Sequence, residues 1–388
     1  MIEITSEQKP IKMWLAEIED GALRQAKNLA NLPFIHRHVA IMPDAHEGFG
    51  MPIGGVIAAL DAIIPNAVGV DIGCGMCAVR TDLKEDTFSD KHKDVLKALL
   101  GTIRRRIPVG FKHHKTRQIW ESFDHAPDIP IINQELNSAS FQLGTLGGGN
   151  HFIEIQRGDD GSIWIMLHSG SRNFGYKIAG EYHKKARTIC EKRNLHLPDK
   201  ELAFLPADSK EGEEYFAAMN FALEFAQANR DHMMEVIKEI FKDTFPHIRF
   251  DMTVNIHHNY AAKETHFKRD VIVHRKGATS ARANQPGIIP GSQGTRSYIV
   301  KGRGNPESFM SCSHGAGRVL GRKEAMRRLD LQKEKNRLDE KGILHSIHTV
   351  KDLDEAAGAY KDIEEVMKQQ KDLVEIVVAL EPLAVIKG

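Results

Sequence analysis

Five side chains of the kinds that bind transition metals, Asp71, Cys74, His151, His168 and His258, stand far apart in the chain. Each falls near the junction of an apolar, strand-like run and a loop. A thiolate, imidazoles and a carboxylate together suit a first-row transition ion and do not suit Ca²⁺ or Mg²⁺ alone. Five ligands exceed what one tetrahedral ion takes, so the set points to a two-metal site with Cys74 shared. Cys74 lies in Val68-Gly-Val-Asp-Ile-Gly-Cys-Gly-Met76, where glycines let the backbone approach a ligand closely. The bland alternative is a small core cysteine in a tight turn. Cys77 completes a formal C-x-x-C pair, half of a zinc site or a redox dithiol, but the chain holds no second such pair, so Cys77 reads as a neighbour. His257 competes with His258; neighbours on a strand face opposite ways, so only one can enter the site.

These residues need elements to hold them. Ala62 to Val70 reads as a buried strand that breaks at Gly73, with Asp71 and Cys74 at its carboxyl end. Upstream, a helix is expected over 20–32, a strand over His38–Met42, and a turn-rich loop, Pro43 to Gly50, that carries Asp44 and His46 over a pocket. Gly144-Thr-Leu-Gly-Gly-Gly-Asn-His151 runs into the strand Phe152–Ile155, and the strand Trp164–Leu167 ends in His168-Ser-Gly-Ser-Arg172. One glycine-rich loop is a weak phosphate signal; the same device twice, each time with a histidine, is stronger. A helix is expected from Ser89 to Arg106, and its basic end, with Lys112-His-His-Lys-Thr-Arg117, reads as a solvated face. Tyr215, Met219, Leu223, Phe225, Met233, Val236, Ile237 and Phe241 recur at helical spacing from Glu211 to Lys242, a core-packing stripe on one helix or two. Strands follow over Thr253–Ile256 and Asp270–His274. A helix opening at Gly315 or Ala316 would carry Arg318, Arg322 and Lys323, another would span Asp354 to Asp372, and an apolar strand pair would close the chain.

The 388 residues are 41% hydrophobic and 27% charged with formal charge +1, which describes a globular protein with ample core and gives no bulk electrostatic argument for nucleic acid. Four cysteines in so long a chain, with no secretory signal, point to the reducing cytoplasm. No apolar run is long enough for a membrane span. Repeats and linkers are absent, which favours a single large interwoven domain over 1–388, and the helices and strands read along the chain set the expected fold class as α+β, with mixed and antiparallel sheets flanked by helices.

Val70-Asp-Ile-Gly-Cys-Gly-Met76, Gly149-Asn-His-Phe-Ile-Glu154, His168-Ser-Gly-Ser-Arg172, His258-Asn259, Arg275-Lys-Gly-Ala278, Pro290-Gly-Ser292 and Ser313-His-Gly-Ala-Gly-Arg318 together resemble the motif series of the RtcB family of RNA ligases, over essentially the whole chain. The resemblance implies a GTP- and Mn²⁺-dependent enzyme, with two Mn²⁺ per active site, that joins RNA ends bearing a 2′,3′-cyclic phosphate or 3′-phosphate to a 5′-hydroxyl. By motif position His314 would be the guanylylated nucleophile. Asp71, Cys74, His151, His168 and His258 would hold the metals, and Asn150 would sit by the reacting phosphates. Glu154, Ser292, Ser297, Gly315, Tyr360 and Lys387 would line the guanylate pocket with Asn150 and His314, while Arg172, Lys276, Arg318 and Arg322 would hold RNA or GTP phosphates. Partners implied are RNA, GTP and an archease-like activator, with a monomer expected. Cys77, Gln293, Ala45 and Glu47 depart from the family pattern and bear on substrate preference, not on chemistry. The alternatives are a paralogue that mainly guanylylates or repairs RNA or DNA 3′-phosphate ends, and a non-catalytic nucleic-acid-binding protein.

Overall fold

The computed structural model describes residues 1–88 and 93–388. Two large sheets, one mixed and one antiparallel, carry the architecture with helices beside them, as expected. In the six-stranded sheet the order is Ile2–Ile4, Ile11–Met13, Ile35–His46, Ile53–Ala59, Arg269–Lys276, Asn259–His266; every pairing is antiparallel except that of Ile11–Met13 with Ile35–His46. The seven-stranded sheet is antiparallel throughout, in the order Phe250–His257, Gly75–Lys84, Ser162–Ser169, Phe152–Gly158, Val374–Lys387, Ser297–Gly302, Pro286–Ile289.

The expected stripe from Tyr215 to Phe241 forms one unbroken helix, Lys210–Thr244. Ser209 caps it by accepting from the Gly212 amide, and Glu211 and Glu213 in the first turn complement its dipole. Its Tyr215, Phe225, Met233 and Phe241 are fully buried, and a side chain of that size contributes roughly 1.5–3 kcal/mol on burial. The helix packs on the strands Gly75–Lys84 and Ser162–Ser169 and on the helix Arg172–Lys192. It therefore lies under the loops that the sequence marks as chemical. No helix among the described residues is long and apolar enough to cross a membrane.

Several expected elements differ. Ala62–Ile63 is a two-residue strand followed by a short helix, Pro65–Val68, because Pro65 starts a helical turn. Asp71 and Cys74 accordingly sit in a turn ahead of the strand that begins at Gly75, not at the carboxyl end of one. No helix opens at Gly315 or Ala316. Gly317 takes φ +74 with its Cα against the Asp44 carbonyl, so Arg318 stays outside a helix that begins at Arg322. Asp354 to Asp372 is not one helix but two 3₁₀ turns and the short helix Ile363–Gln369, and the C-terminal strand pair is a single strand, Val374–Lys387. The helix expected from Ser89 is seen as Lys93–Arg106; residues 89–92 lie outside the described residues.

Candidate active site and metal centre

Antiparallel pairing brings the five candidate ligands to one end of the seven-stranded sheet. Gly75 pairs with Ser169 and with His257, and Phe152 pairs with His168. Cys74, His151 and His258 each lie one residue beyond a strand end in that register, and His168 is the penultimate residue of its strand. Cys74 Sγ is 3.2 Å from His168 Nε2 and 3.5 Å from His151 Nε2. His168 Nε2 is 3.4 Å from His258 Nε2, and His151 Nε2 is 3.3 Å from Asp71 Oδ2. The donors form two groups whose atoms lie within 4.8 Å of one another, Cys74–His168–His258 and Asp71–Cys74–His151, with the thiol common to both.

The donor set fits a metal. Burial holds His168 and His258 far below the usual imidazole range, which leaves them neutral with lone pairs to give. His168 Nδ1 donates to the Asn150 carbonyl at 3.1 Å, which aims Nε2 inward, whereas Nδ1 of His151 and of His258 is buried without a partner. Burial, and Asp71 beside it, pushes the Cys74 thiol well up, a bias that a divalent cation reverses. Cys77 points to the opposite face of its strand and joins the apolar core with Val79 and Leu167, and burial pushes its thiol up to about 12. His257 also faces away, with its Nδ1 held at 3.0 Å from Arg230 Nη2.

His314 follows the short strand Ser311–Ser313 and is gripped by Asp44, whose Oδ2 accepts from His314 Nδ1 at 2.6 Å, from the His314 amide at 3.0 Å and from the Gly315 amide at 3.3 Å. Burial alone would raise the Asp44 carboxyl, yet His314 and then Lys361 pull it below its usual value, so Asp44 is a carboxylate. With Nδ1 engaged, Nε2 is the free nitrogen of His314. The His258 and His314 ring centres are 4.8 Å apart. His314 and Asn150 line two cavities at once: one of ≈ 230 Å³, and one of ≈ 560 Å³ that also exposes Asp71, Cys74, His258 and Lys276.

The smaller cavity gathers Asn150, Glu154, Ser292, His314, Gly315, Arg318, Arg322, Tyr360 and Lys387. Burial raises the Glu154 carboxyl to about 8, against the pull of Lys387 and of the hydrogen bond from Gln156. Ser297 lies behind the wall, its Oγ accepting from Gln156 and from the Gly291 amide. Glu355 is a hub for the cations: Arg318 Nη1 and Arg322 Nη2 each lie 3.2 Å from one of its oxygens, Lys387 Nζ lies 3.7 Å from the other, and the Tyr360 hydroxyl donates to it. Three cationic side chains against the carboxyls of Glu355 and neighbouring Asp354 leave a local excess of positive charge for an anion.

Arg172 and Lys276, expected to hold phosphates, each also bond to neighbouring loops. Arg172, which carries a positive φ of 58°, donates to Thr145 Oγ1 at 2.9 Å and to the Gly110 carbonyl at 2.8 Å, bracing the glycine-rich loop. Lys276 donates to the carbonyls of Phe49 at 2.6 Å and Asn66 at 2.9 Å inside the larger cavity, and burial lowers its ammonium to about 7. Asp44 was marked only as a residue of a loop over a pocket, and Glu355, Asn229 and Arg230 were not singled out. Asn229 and Arg230, both fully buried on the long helix, tie the loops of the candidate site together. Asn229 Oδ1 accepts from the Gly144 and Thr145 amides while its Nδ2 reaches the Gly170 carbonyl, and Arg230 Nη1 donates to the carbonyls of Gly73 and Ser169. The only sequence signal available for them is an Asn-Arg pair inside a Met/Phe stripe, which the sequence reading did not use.

Comparison with known proteins agrees with this architecture. A family model described as tRNA-splicing ligase RtcB matches residues 25–135 and 121–388. The chain is 39% identical to the RNA-splicing ligase RtcB of Escherichia coli (strain K12) over 417 aligned positions, covering 99% of each chain. It is 34% identical to the tRNA-splicing ligase RtcB of Thermococcus kodakarensis, covering 95% of this chain and 92% of that one. With matches that run the length of the chain and take in every loop of the site, the protein belongs to the RtcB family.

Proposed function

We propose that this protein is an RNA ligase that uses GTP and Mn²⁺ to join 3′-phosphate or 2′,3′-cyclic-phosphate ends to 5′-hydroxyl ends through GMP carried on His314. The observation that carries the proposal is the position of His314, with Nδ1 tied to Asp44 and Nε2 free between an anion-biased cavity and a metal-donor cluster. The names of the relatives supply the RNA substrate. His314 Nε2 attacks the α-phosphorus of GTP; the N–P bond forms as the bond to the bridging oxygen breaks, and pyrophosphate leaves toward Arg318 and Arg322. Asp44 holds the Nδ1 proton and balances the positive charge that develops on the ring. A cyclic phosphate is first opened by water. The RNA 3′-phosphate oxygen then takes GMP from His314, breaking the N–P bond, and the 5′-hydroxyl attacks the 3′-phosphorus and expels GMP. Mn²⁺ held by Asp71, Cys74, His151, His168 and His258 would supply Lewis-acid neutralisation of phosphate charge.

The test is incubation with α-labelled GTP and Mn²⁺, which leaves acid-labile, hydroxylamine-resistant GMP on the protein. His314→Ala should form no adduct, should still bind Mn²⁺, and should join RNA already carrying a 3′-guanylylated end. Label placed in the RNA 3′-phosphate should appear in the junction. GMP mapped to Lys276 or Lys387, or a junction phosphate drawn from GTP, refutes the route.

A further inference from the structure

Single exposed apolar residues are ordinary, but the exposed aromatic ones here are not scattered. Among the described residues, the exposed Phe and Tyr side chains are Phe49, Phe111 and Tyr176, at 71%, 105% and 57%. Phe49 lines the cavity that holds Asp71, Cys74 and His258, and its own carbonyl receives Lys276 Nζ. Phe111 follows Gly110, whose amide donates to the Gly147 carbonyl at 2.8 Å and whose carbonyl accepts from Arg172, so it stands beside the loop that leads to Asn150 and His151. Tyr176 follows Gly175, where an added Cβ would lie 3.1 Å from Ile72 in the turn carrying Asp71 and Cys74. All three aromatics are thus one residue or less from a group that touches the metal-bearing cavity or its loops.

Their backbones are pinned while their rings are free. Gln25 and Gly48 exchange two hydrogen bonds beside Phe49, and Phe111 sits between Gly110 and a His114 amide bonded to the Phe141 carbonyl. Exposed cations accompany them: Lys112, Lys115 and Arg117 follow Phe111, and Lys177 follows Tyr176. The basic run that the sequence presents as a solvated face therefore starts at the rim of the site. Free aromatic faces interleaved with Lys and Arg are the chemistry that holds unpaired nucleotides by stacking and phosphate attraction, without base identity.

We propose that Phe49, Phe111 and Tyr176 form a stacking rim that grips unpaired nucleotides next to the RNA ends entering the larger cavity, making the protein selective for single-stranded ends. This rests on RNA as the substrate. The test measures binding of a fluorescent single-stranded RNA with a 3′-phosphate, without GTP, against the same RNA closed into a blunt duplex and against versions with one abasic position moved along the strand. Phe111→Ala should weaken the single strand by roughly 5- to 100-fold, and Phe111→Tyr should keep it. Because the Phe111 ring is fully exposed, the Ala variant should melt with the wild type. One abasic position should cost the wild type a comparable factor and cost Phe111→Ala little more. Equal affinity of wild type and Phe111→Ala, fully additive losses at every abasic position, duplex binding as tight as single-strand binding, or no binding by the wild type would each overturn the rim. Labelling by GTP reports separately on the adduct chemistry, so a protein that binds as described yet takes no label refutes the proposed reaction and leaves the rim standing.

Discussion

Glu154→Gln tests the proposed guanylate pocket through a single proton. Glu154 is 3% exposed, and its carboxyl is raised from 4.5 to about 8, chiefly by burial. Below pH 4.5 the group is protonated in the folded and unfolded chains alike and contributes no difference. From pH 4.5 to 8 the unfolded chain has released the proton and the folded chain keeps it, so stability falls by about 1.4 kcal/mol per pH unit, about 5 kcal/mol by pH 8. Glutamine cannot ionise, so the variant should gain little at pH 4.5 and up to that amount at pH 8, read as the difference in denaturant unfolding between the two proteins. A gain that is the same at both pH values, or a variant less stable at pH 8, refutes the argument. Ligand binding completes it. Guanine offers two N–H donors on one edge, which favour the carboxylate because only the ionised group accepts at both oxygens. GTP binding at pH 7 should then release about one proton, measured by calorimetry in buffers of different ionisation enthalpy. The Gln variant should release none and bind GTP about 10- to 100-fold more weakly, the worth of a hydrogen bond to a charged group.

Two more predictions follow from the geometry. Cys74→Ala should lose most of the bound Mn²⁺ by metal analysis, since one thiol is common to both donor groups, while Cys77→Ser, in the apolar core, should retain it; unchanged stoichiometry in the first variant refutes a shared thiolate. Asp44→Asn should slow GMP transfer onto the protein by about 10- to 100-fold with little change in Mn²⁺ binding, because it removes a charged acceptor from His314 Nδ1; an unaltered single-turnover rate would show that Asp44 does not orient the ring.

The cluster of possible metal donors was legible because its members carry local punctuation, a glycine or a turn at a strand end, and antiparallel pairing then brings those ends together. Their partners were not. Asp44, in the strand Ile35–His46, reaches His314 across 270 positions, and Glu355, at the end of a 3₁₀ turn, meets Arg318 across 37; neither carboxylate carries a sign in the sequence of which side chain it faces. The glycine-rich run after Ser313 imitates a helix start, and the sequence does not reveal that the Asp44 carboxylate already satisfies the amides of His314 and Gly315. Asn229 and Arg230 were hidden because helical periodicity identifies the buried face but not the polar groups that the face is built to clamp.

The Glu355 hub changes how the smaller cavity responds to its surroundings. Because Arg318, Arg322 and Lys387 already share a carboxylate, an entering anion must compete with a tethered rival whose effective concentration is high. Inorganic phosphate or a stray monophosphate displaces such a rival poorly, whereas a polyphosphate engages several of the cations together. A ligand with enough charge to engage several of these cations is therefore favoured over a small anion, and the carboxylate stays in place to rejoin them when such a ligand leaves.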